Sequence, residues 1–139
     1  SNLAAAVGVA QFKKINQLNQ KRSRLAGRLT QRLRPLASVI PLLPVKEAGH
    51  VYQMYPVRLV GIDRTKFIAK LQRVGIQTSV HFDPPVHRQK FYRQFADRPL
   101  PMTDKLAQTE VTLPLYPDMN FGQIDILAKA VKKAAGQLL

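Results

Sequence analysis

The sequence lacks cysteine altogether and has no apolar run long enough to cross a membrane. Without cysteine, the protein can form neither disulfide bonds nor metal sites built on thiolates. The longest apolar runs, residues 3–10 and 39–45, fall far short of the roughly 20 residues that a transmembrane helix needs. Neither run has the layout of a secretory signal peptide. We therefore expect a cytoplasmic protein that does not enter a membrane.

Acidic residues are also scarce. The sequence has 8 Asp and Glu against 22 Lys and Arg, a formal net charge of +14, and no acidic residue precedes Glu47. Eight basic residues lie between positions 13 and 34, namely Lys13, Lys14, Lys21, Arg22, Arg24, Arg28, Arg32 and Arg34. They could bind the phosphates of nucleic acid, of an anionic membrane or of a nucleotide. The favoured interpretation is a solvated helix face whose acidic complement lies on missing sequence or on a partner, because scattered charges on a helix face usually serve solvation.

Residues 2–34 are predicted to form one long helix, since apolar residues recur there at steps of three and four. Asn2 is a suitable N-cap, and Pro35 should end the helix. Residues 3–12 are apolar on almost every side, as in a helix that is buried on several sides. We therefore divide the chain into a long connecting helix (residues 1–36) and a small domain (residues 37–139). Residues 3–12 are expected to pack on another domain or subunit.

The small domain is predicted to have an α+β fold. Its elements are, in order, a connector (36–49), a strand (52–60), a helix from Asp63 to Val74 ended by Gly75, a strand (77–82), a short helix (87–95), a second short helix (102–108), a short strand (111–113) and a last helix from Asn120, with Gln123 completing a capping box. Pro56 suggests that the first strand lies at an edge or carries a bulge. The result is a small three-stranded, mostly antiparallel sheet covered by helices.

Residues 75–92 are the best candidates for a substrate-facing loop. His81 and His87 flank a Pro-Pro turn there, and imidazole titrates near neutrality and bonds phosphates or hydroxyls. A metal site with Asp83 as a further ligand is the less favoured alternative. Four aromatic residues nearby could stack on a base or sugar, although their spacing favours the core of a short helix: Phe82, Phe91, Tyr92 and Phe95. The sequence contains neither a complete catalytic constellation nor a Gly-rich phosphate loop.

Four segments together resemble the C-terminal part of the sugar-nucleotide aminotransferases of the DegT/StrS family. They are SNLAAAVGVAQFKKINQLNQKR, HVYQMYPVRL, GIQTSVHFDPPVHRQKFY and VTLPLYPDM. The resemblance implies a homodimeric enzyme of the aspartate-aminotransferase fold that uses pyridoxal phosphate. Such an enzyme transfers an amino group, usually from glutamate, to a keto sugar nucleotide for lipopolysaccharide, other surface glycans or antibiotics. It also implies that the Schiff-base lysine and the cofactor contacts belong to a large N-terminal domain missing from this chain.

The same resemblance suggests which residues bind substrate. His81 and His87 match loop histidines that border the sugar-nucleotide pocket, with Phe82 and Tyr92 as neighbours. Arg88, together with Lys90, is added because positive charge could attract a diphosphate. No catalytic, cofactor-binding or metal-binding residue is assigned to this chain, and we expect the chain by itself to be inactive and to hold no pyridoxal phosphate. The alternative is a stand-alone basic module that binds nucleic acid or a protein partner.

Overall fold

The computed structural model describes residues 1–45 and 49–139 and shows the predicted α+β architecture. The elements are, in order, α1 (Asn2–Phe12), α2 (Ile15–Leu33), β1 (Val39–Pro41), β2 (Tyr55–Leu59), α3 (Arg64–Arg73), two 3₁₀ helices (Val86–Arg88 and Tyr92–Phe95), α4 (Pro101–Thr109), β3 (Glu110–Leu113) and α5 (Phe121–Gly136). Part of the predicted connector, residues 46–48, lies outside the described residues. Within the described ranges, no helix combines the length and the hydropathy that crossing a membrane requires.

The predicted long N-terminal helix is present, with an interruption that the sequence did not predict. Between α1 and α2 the amide of Lys14 bonds to the carbonyl of Gln11, three residues back, which tightens the helix at this point. The N-cap is Ser1 rather than Asn2, because the Ser1 hydroxyl accepts from the amide of Ala4. No residue of α1 is buried in the chain.

The sheet has three strands, as predicted, but one of them comes from a different part of the sequence. Its order is β1-β2-β3, with both pairs antiparallel. β1 lies within the segment that was predicted to be a connector. The predicted strand at 77–82 is reduced to a single bridge between Ser79 and Thr112, because Pro84 and Pro85 supply no amides for further pairing and β3 is only four residues long.

The prediction that Pro56 marks an edge strand or a bulge is wrong, since β2 is the central strand. Pro56 is opposite Thr112 of β3, whose amide and carbonyl bond to Ser79 on the other side. On the β1 side, the Pro56 carbonyl still accepts from the amide of Leu42, one residue past the end of β1. A proline is tolerated in this central strand because its position lies beyond the last residue pair of β1 and β2. The amide hydrogen that proline lacks is therefore not needed for that pairing.

The two long helices of the small domain begin and end as their sequences indicate. In α3 the Asp63 carboxylate accepts from the amide of Lys66 at 2.8 Å, and Gly75 follows in the left-handed region at φ +79°. In α5 the side chains and amides of Asn120 and Gln123 form the predicted capping box, with both bonds at 2.9 Å. The predicted helix at 102–108 is confirmed as α4, whereas the one at 87–95 is divided into two 3₁₀ turns.

The two faces of the sheet have different neighbours. The alternating residues Tyr55, Val57 and Leu59 of β2 are buried, and together with side chains of α2, α3 and α5 they form one hydrophobic core. Because side chains alternate along a strand, Pro56 and Arg58 lie on the opposite face. That second face is the one on which the candidate site is built.

Candidate functional site

A cavity of about 650 Å³ lies on the second face of the sheet. Its floor includes Pro56 of β2 and Glu110 and Thr112 of β3, which share this face because directly paired and alternating strand residues point the same way. Its volume is in the range of about 300–1,000 Å³ that is usual for small-molecule sites.

The walls come from the segment between α3 and β3. The loop at 81–87, the second 3₁₀ helix and α4 contribute most of the remaining residues: His81, Phe82, Pro85, Val86, His87, Tyr92, Phe95, Ala96, Leu100, Thr103, Leu106 and Ala107. Leu42, just after β1, and Met54, just before β2, complete the lining. The lining is therefore mainly apolar, with a few convergent polar groups, which is the composition of a ligand site.

The aromatic residues of this segment are not the core that their spacing favoured. Phe82 is 60% exposed, Phe91 67% and Phe95 68%, and Tyr92 is also exposed. The two 3₁₀ turns are too short to bury one face against the sheet, so the rings remain at the surface. Phe82, Tyr92 and Phe95 line the cavity and offer ring faces on which a sugar or base can stack.

His81 is held by two bonds to β3. Its backbone amide donates to Oε2 of Glu110 at 3.0 Å, and its ring Nδ1 lies 3.0 Å from Oγ1 of Thr112. The Thr112 hydroxyl also lies 2.6 Å from Oε1 of Glu110. His81 is thus fixed to the rigid floor of the cavity, although it comes from a loop.

His87 and Arg88 share one carboxylate. Nε2 of His87 lies 3.0 Å from Oδ1 of Asp104, and Arg88 donates to both oxygens of Asp104 at 2.7 and 2.5 Å. The Arg88 guanidinium holds the pKa of the Asp104 carboxyl below its ordinary value, and the same pair raises the pKa of Arg88. This arrangement ties the first 3₁₀ helix to α4.

A second arginine fixes the other end of the loop. Arg64, in the first turn of α3, donates to the carboxylate of Asp83 and to the carbonyl of Ala107 at the end of α4. The peptide bonds His81–Phe82 and Asp83–Pro84 are both cis. The contacts of His81 with β3 and the pair of Asp83 with Arg64 attach this loop at two points, to β3 and to α3.

Four of the five sequence-predicted site residues come together around the cavity. His81, Phe82, His87 and Tyr92 all line it, whereas Arg88 does not. Lys90 is likewise absent from the lining, so the two cations chosen for a diphosphate lie outside it. Sequence reasoning missed Glu110, Thr112, Asp104 and Arg64. In the sequence these four appear only as polar residues in or beside short apolar segments. That pattern does not show which side chain each of them contacts.

The donor set does not suit a metal ion. The sequence suggested a metal site of His81, Asp83 and His87 as the less favoured alternative. In the structure Asp83 pairs with Arg64, His87 with Asp104 and His81 with Thr112, so each of the three contacts a different partner. Throughout residues 1–45 and 49–139 there is no cluster of three or more His, Asp or Glu side chains that could hold a metal.

The cavity residues also do not fit pyridoxal phosphate as a resident cofactor. A Schiff base needs a lysine, and a phosphate needs a cation or a cluster of amides. Among the described residues, no lysine and no arginine lines the cavity. The lining of this cavity therefore supplies neither the Schiff-base amine nor a lysine or arginine for the cofactor phosphate.

The basic segment of α2 is partly neutralised within the chain. Arg28 donates to both oxygens of Asp125 on α5, at 3.1 and 2.7 Å, and Arg32 donates to Oδ1 of Asp125 at 2.9 Å. The two guanidinium groups hold the pKa of Asp125 well below its ordinary value. Two of the eight basic residues thus join α2 to α5 through Asp125.

Comparison with known proteins identifies the class. A sequence profile of the DegT/DnrJ/EryC1/StrS aminotransferase family matches residues 1–132, and the chain belongs to this family. Its fold resembles the PLP-form of the putative sugar aminotransferase Spr1654 from Streptococcus pneumoniae (TM-score 0.89, 21% identity, 100% of this chain and 36% of the other).

Two further solved structures have the same fold. One is PseC of Helicobacter pylori, an aminotransferase of pseudoaminic acid biosynthesis (TM-score 0.86, 24% identity, 96% of this chain and 37% of the other). The other is DesI in the presence of its TDP-sugar product (TM-score 0.86, 23% identity, 95% of this chain and 35% of the other). The chain thus spans little more than a third of the length of the solved structures that it matches.

Proposed function

We propose that this chain is the C-terminal part of an enzyme that transfers an amino group, from glutamate, to the keto group of a sugar nucleotide. Family membership supports the reaction class. The similar structures, one in a PLP-form and one with a TDP-sugar product, support the cofactor and the substrate class. The observation that carries the proposal is the cavity, which gathers His81, Phe82, His87 and Tyr92. The products would be amino sugars for lipopolysaccharide, other surface glycans or antibiotics.

In this proposal the cavity receives the uncharged part of the substrate. No cation lines it among the described residues, so it offers nothing to balance a diphosphate. The exposed rings of Phe82, Tyr92 and Phe95 can stack on a sugar or base, and His81 can exchange a hydrogen bond with a hydroxyl. The diphosphate is then contacted outside this cavity.

The remaining machinery is assigned to the rest of the parent enzyme. The family implies pyridoxal phosphate, which supplies the electron sink for amino-group transfer, and a lysine outside this chain would carry it. The chain alone is then inactive. Borohydride treatment of the chain with pyridoxal phosphate should leave no stoichiometric adduct on a single lysine, and such an adduct would contradict this assignment.

Helix α1 is proposed to pack on that remaining part, within a homodimeric enzyme. Leu3 is 77% exposed and Phe12 74% exposed, and no residue of α1 is buried in this chain. An apolar helix with no buried face is the expected result when its neighbour belongs to another domain or subunit. Replacing Leu3 and Phe12 by Glu in the parent should weaken its dimer in sedimentation experiments, whereas Gln at the exposed basic position Lys21 should not.

The test of the substrate site is steady-state kinetics of the parent enzyme. His81→Ala should raise the KM for the sugar nucleotide or lower kcat, by about 3- to 10-fold if one substrate hydrogen bond is lost. His50→Ala is the matched control, because His50 does not line the cavity. Unchanged kinetics for His81→Ala would remove this residue from the site.

A further inference from the structure

The contacts around His81 determine which of its ring nitrogens carries the proton. Glu110 and Thr112 form the floor beneath His81 and are only 7% exposed each. The Glu110 carboxylate has two short contacts: Oε2 with the His81 amide at 3.0 Å and Oε1 with the Thr112 hydroxyl at 2.6 Å. The same hydroxyl lies 3.0 Å from Nδ1 of His81. The three residues therefore form one short chain of hydrogen bonds that ends at the imidazole.

The direction of each bond follows from the chemistry of the donors. A backbone amide can only donate, and a carboxylate can only accept. Because Glu110 accepts on both oxygens, the single hydrogen of the Thr112 hydroxyl is directed to Oε1. The Thr112 oxygen then has only lone pairs to offer to His81. Nδ1 must therefore carry the hydrogen, and in the neutral ring Nε2 is left as an acceptor.

We propose that Glu110 and Thr112 are positioning residues that fix neutral His81 as the Nδ1–H tautomer and so make its Nε2 a hydrogen-bond acceptor toward the cavity ligand. Nε2 has no hydrogen-bond partner among the described residues, and the His81 ring lines the cavity. The ligand group matched to this site is a donor, such as a sugar hydroxyl or a base N–H. A neutral His81 in this tautomer rejects a carbonyl or phosphate oxygen at Nε2, because two acceptors would face each other.

The identity of the ligand rests on the proposed function, but the tautomer does not. The burial of Glu110 and Thr112 keeps water from offering alternative partners, so the direction of the bonds is set by the protein. Ser79 strengthens this placement, since its amide and carbonyl pair with those of Thr112 at 3.1 and 2.8 Å. The backbone that carries the Thr112 hydroxyl is thus fixed by hydrogen bonds to Ser79, on the side of β3 that faces away from β2.

The test is ¹⁵N nuclear magnetic resonance of the full 139-residue chain. Long-range couplings to the ring protons separate protonated from unprotonated imidazole nitrogens, and the chain has three histidines, so His50→Gln and His87→Gln assign the signals. The spectra are recorded at about pH 8.5, where an ordinary imidazole is neutral. We expect His81 to show a protonated Nδ1 and an unprotonated Nε2. A protonated Nε2 in the unaltered chain overturns the proposal without any need for a variant.

Glu110→Gln is the most informative variant, because it exchanges donors and acceptors along the chain of hydrogen bonds while it keeps the shape of the side chain. The glutamine carbonyl must still accept from the His81 amide, so the glutamine NH₂ faces Thr112 and donates to it. The Thr112 hydrogen is then free to point at Nδ1, and His81 should change to the Nε2–H tautomer. Thr112→Ser preserves the hydroxyl and should preserve the Nδ1–H form, which makes it the matched control. An unchanged His81 signal in folded Glu110→Gln contradicts the proposal.

A kinetic measurement on the parent enzyme separates this proposal from the proposed function. If both hold, Glu110→Gln should raise the KM for the sugar nucleotide by about 10-fold or more, since two donors would then face each other. His50→Gln, at a position outside the cavity lining, should leave the KM near the unaltered value. If the tautomer changes but the KM does not, the positioning by Glu110 and Thr112 stands and the substrate role of His81 fails. If the tautomer does not change, the positioning fails whatever the kinetics show.

Discussion

Tyr55 should make the stability of this protein fall steeply at alkaline pH. Its side chain, on the first residue of the central strand, is 3% exposed, and its hydroxyl lies 2.7 Å from that of Thr30 on α2. Burial raises the pKa of Tyr55 from its ordinary 10.0 to about 12, and the bond to Thr30 opposes part of that increase. The folded protein therefore resists formation of the tyrosinate in its core.

The size of the effect follows from proton linkage. Because the folded pKa lies above the unfolded one, the folded state retains the Tyr55 proton that the unfolded state has released between these two values. Stability is thus unaffected by this group below about pH 10 and falls as pH rises from there to about pH 12. A tenfold change in a proton-binding constant corresponds to about 1.4 kcal/mol, so the hundredfold difference between the folded and unfolded states amounts to about 2.7 kcal/mol of unfolding free energy.

Urea unfolding of the chain and of Tyr55→Phe, at a series of pH values from about 8 to 11.5, measures this loss. Phenylalanine cannot ionise, so the variant should lose less stability over this interval, although it starts lower by about 1–2 kcal/mol because Thr30 loses its partner. Tyr92→Phe, at an exposed position, is the matched control and should follow the unaltered chain. Parallel pH profiles for the unaltered chain and Tyr55→Phe would refute the reasoning.

Three further predictions concern single contacts. Phe67→Ala removes a fully buried ring and should lower the unfolding free energy by about 3–5 kcal/mol in urea titration, while Ala at exposed Phe91 should cost far less. Asn120→Ala removes the α5 cap and should cost about 1 kcal/mol, whereas Asn120→Ser should restore most of it. The depressed pKa of Asp125 stabilises the fold above the ordinary value of 3.8, and this stabilisation is lost as pH falls below it. Asp125→Asn should therefore be less stable at neutral pH, and its Tm should vary less than that of the unaltered chain between about pH 5 and pH 2; identical acid profiles would contradict the role of the Arg28 and Arg32 pairs.

The architecture places the hydrophobic core and the candidate cavity on opposite faces of one small sheet. The face with Tyr55, Val57 and Leu59 packs under α2, α3 and α5, so its residues are replaceable only by others of similar volume. The opposite face carries Pro56, Glu110 and Thr112 beneath the cavity. Substitutions on the second face should therefore change ligand binding with smaller effects on folding, except where Glu110 or Thr112 would be left without a partner.

Features set by local physics could be predicted from the sequence. The apolar periodicity of α3 and α5, the Asp63 cap and the Asn120 capping box depend on residues three or four positions apart, and all are present. The strands were harder, because a strand needs a partner that is distant in sequence. Ser79 lies in a segment with strand-like composition but reaches only one bridge, whereas β1 forms among prolines because β2 offers it an edge.

The candidate site shows the same division between local and distant information. His81 and His87 were singled out because they flank a Pro-Pro turn and because imidazole can exchange protons near neutrality, and both line the cavity. The exposure of Phe91 and Phe95 was not predictable from spacing, since 3₁₀ turns do not have the 3.6-residue period that the prediction assumed. Glu110 and Thr112 lie about thirty positions from His81 and resemble ordinary strand residues in the sequence. Only the antiparallel pairing of β3 with β2, and the bridge to Ser79, bring their side chains beneath the imidazole. The sequence therefore identifies His81 as a candidate side chain at the cavity, whereas the two residues that hydrogen-bond to it become its neighbours only through the tertiary structure.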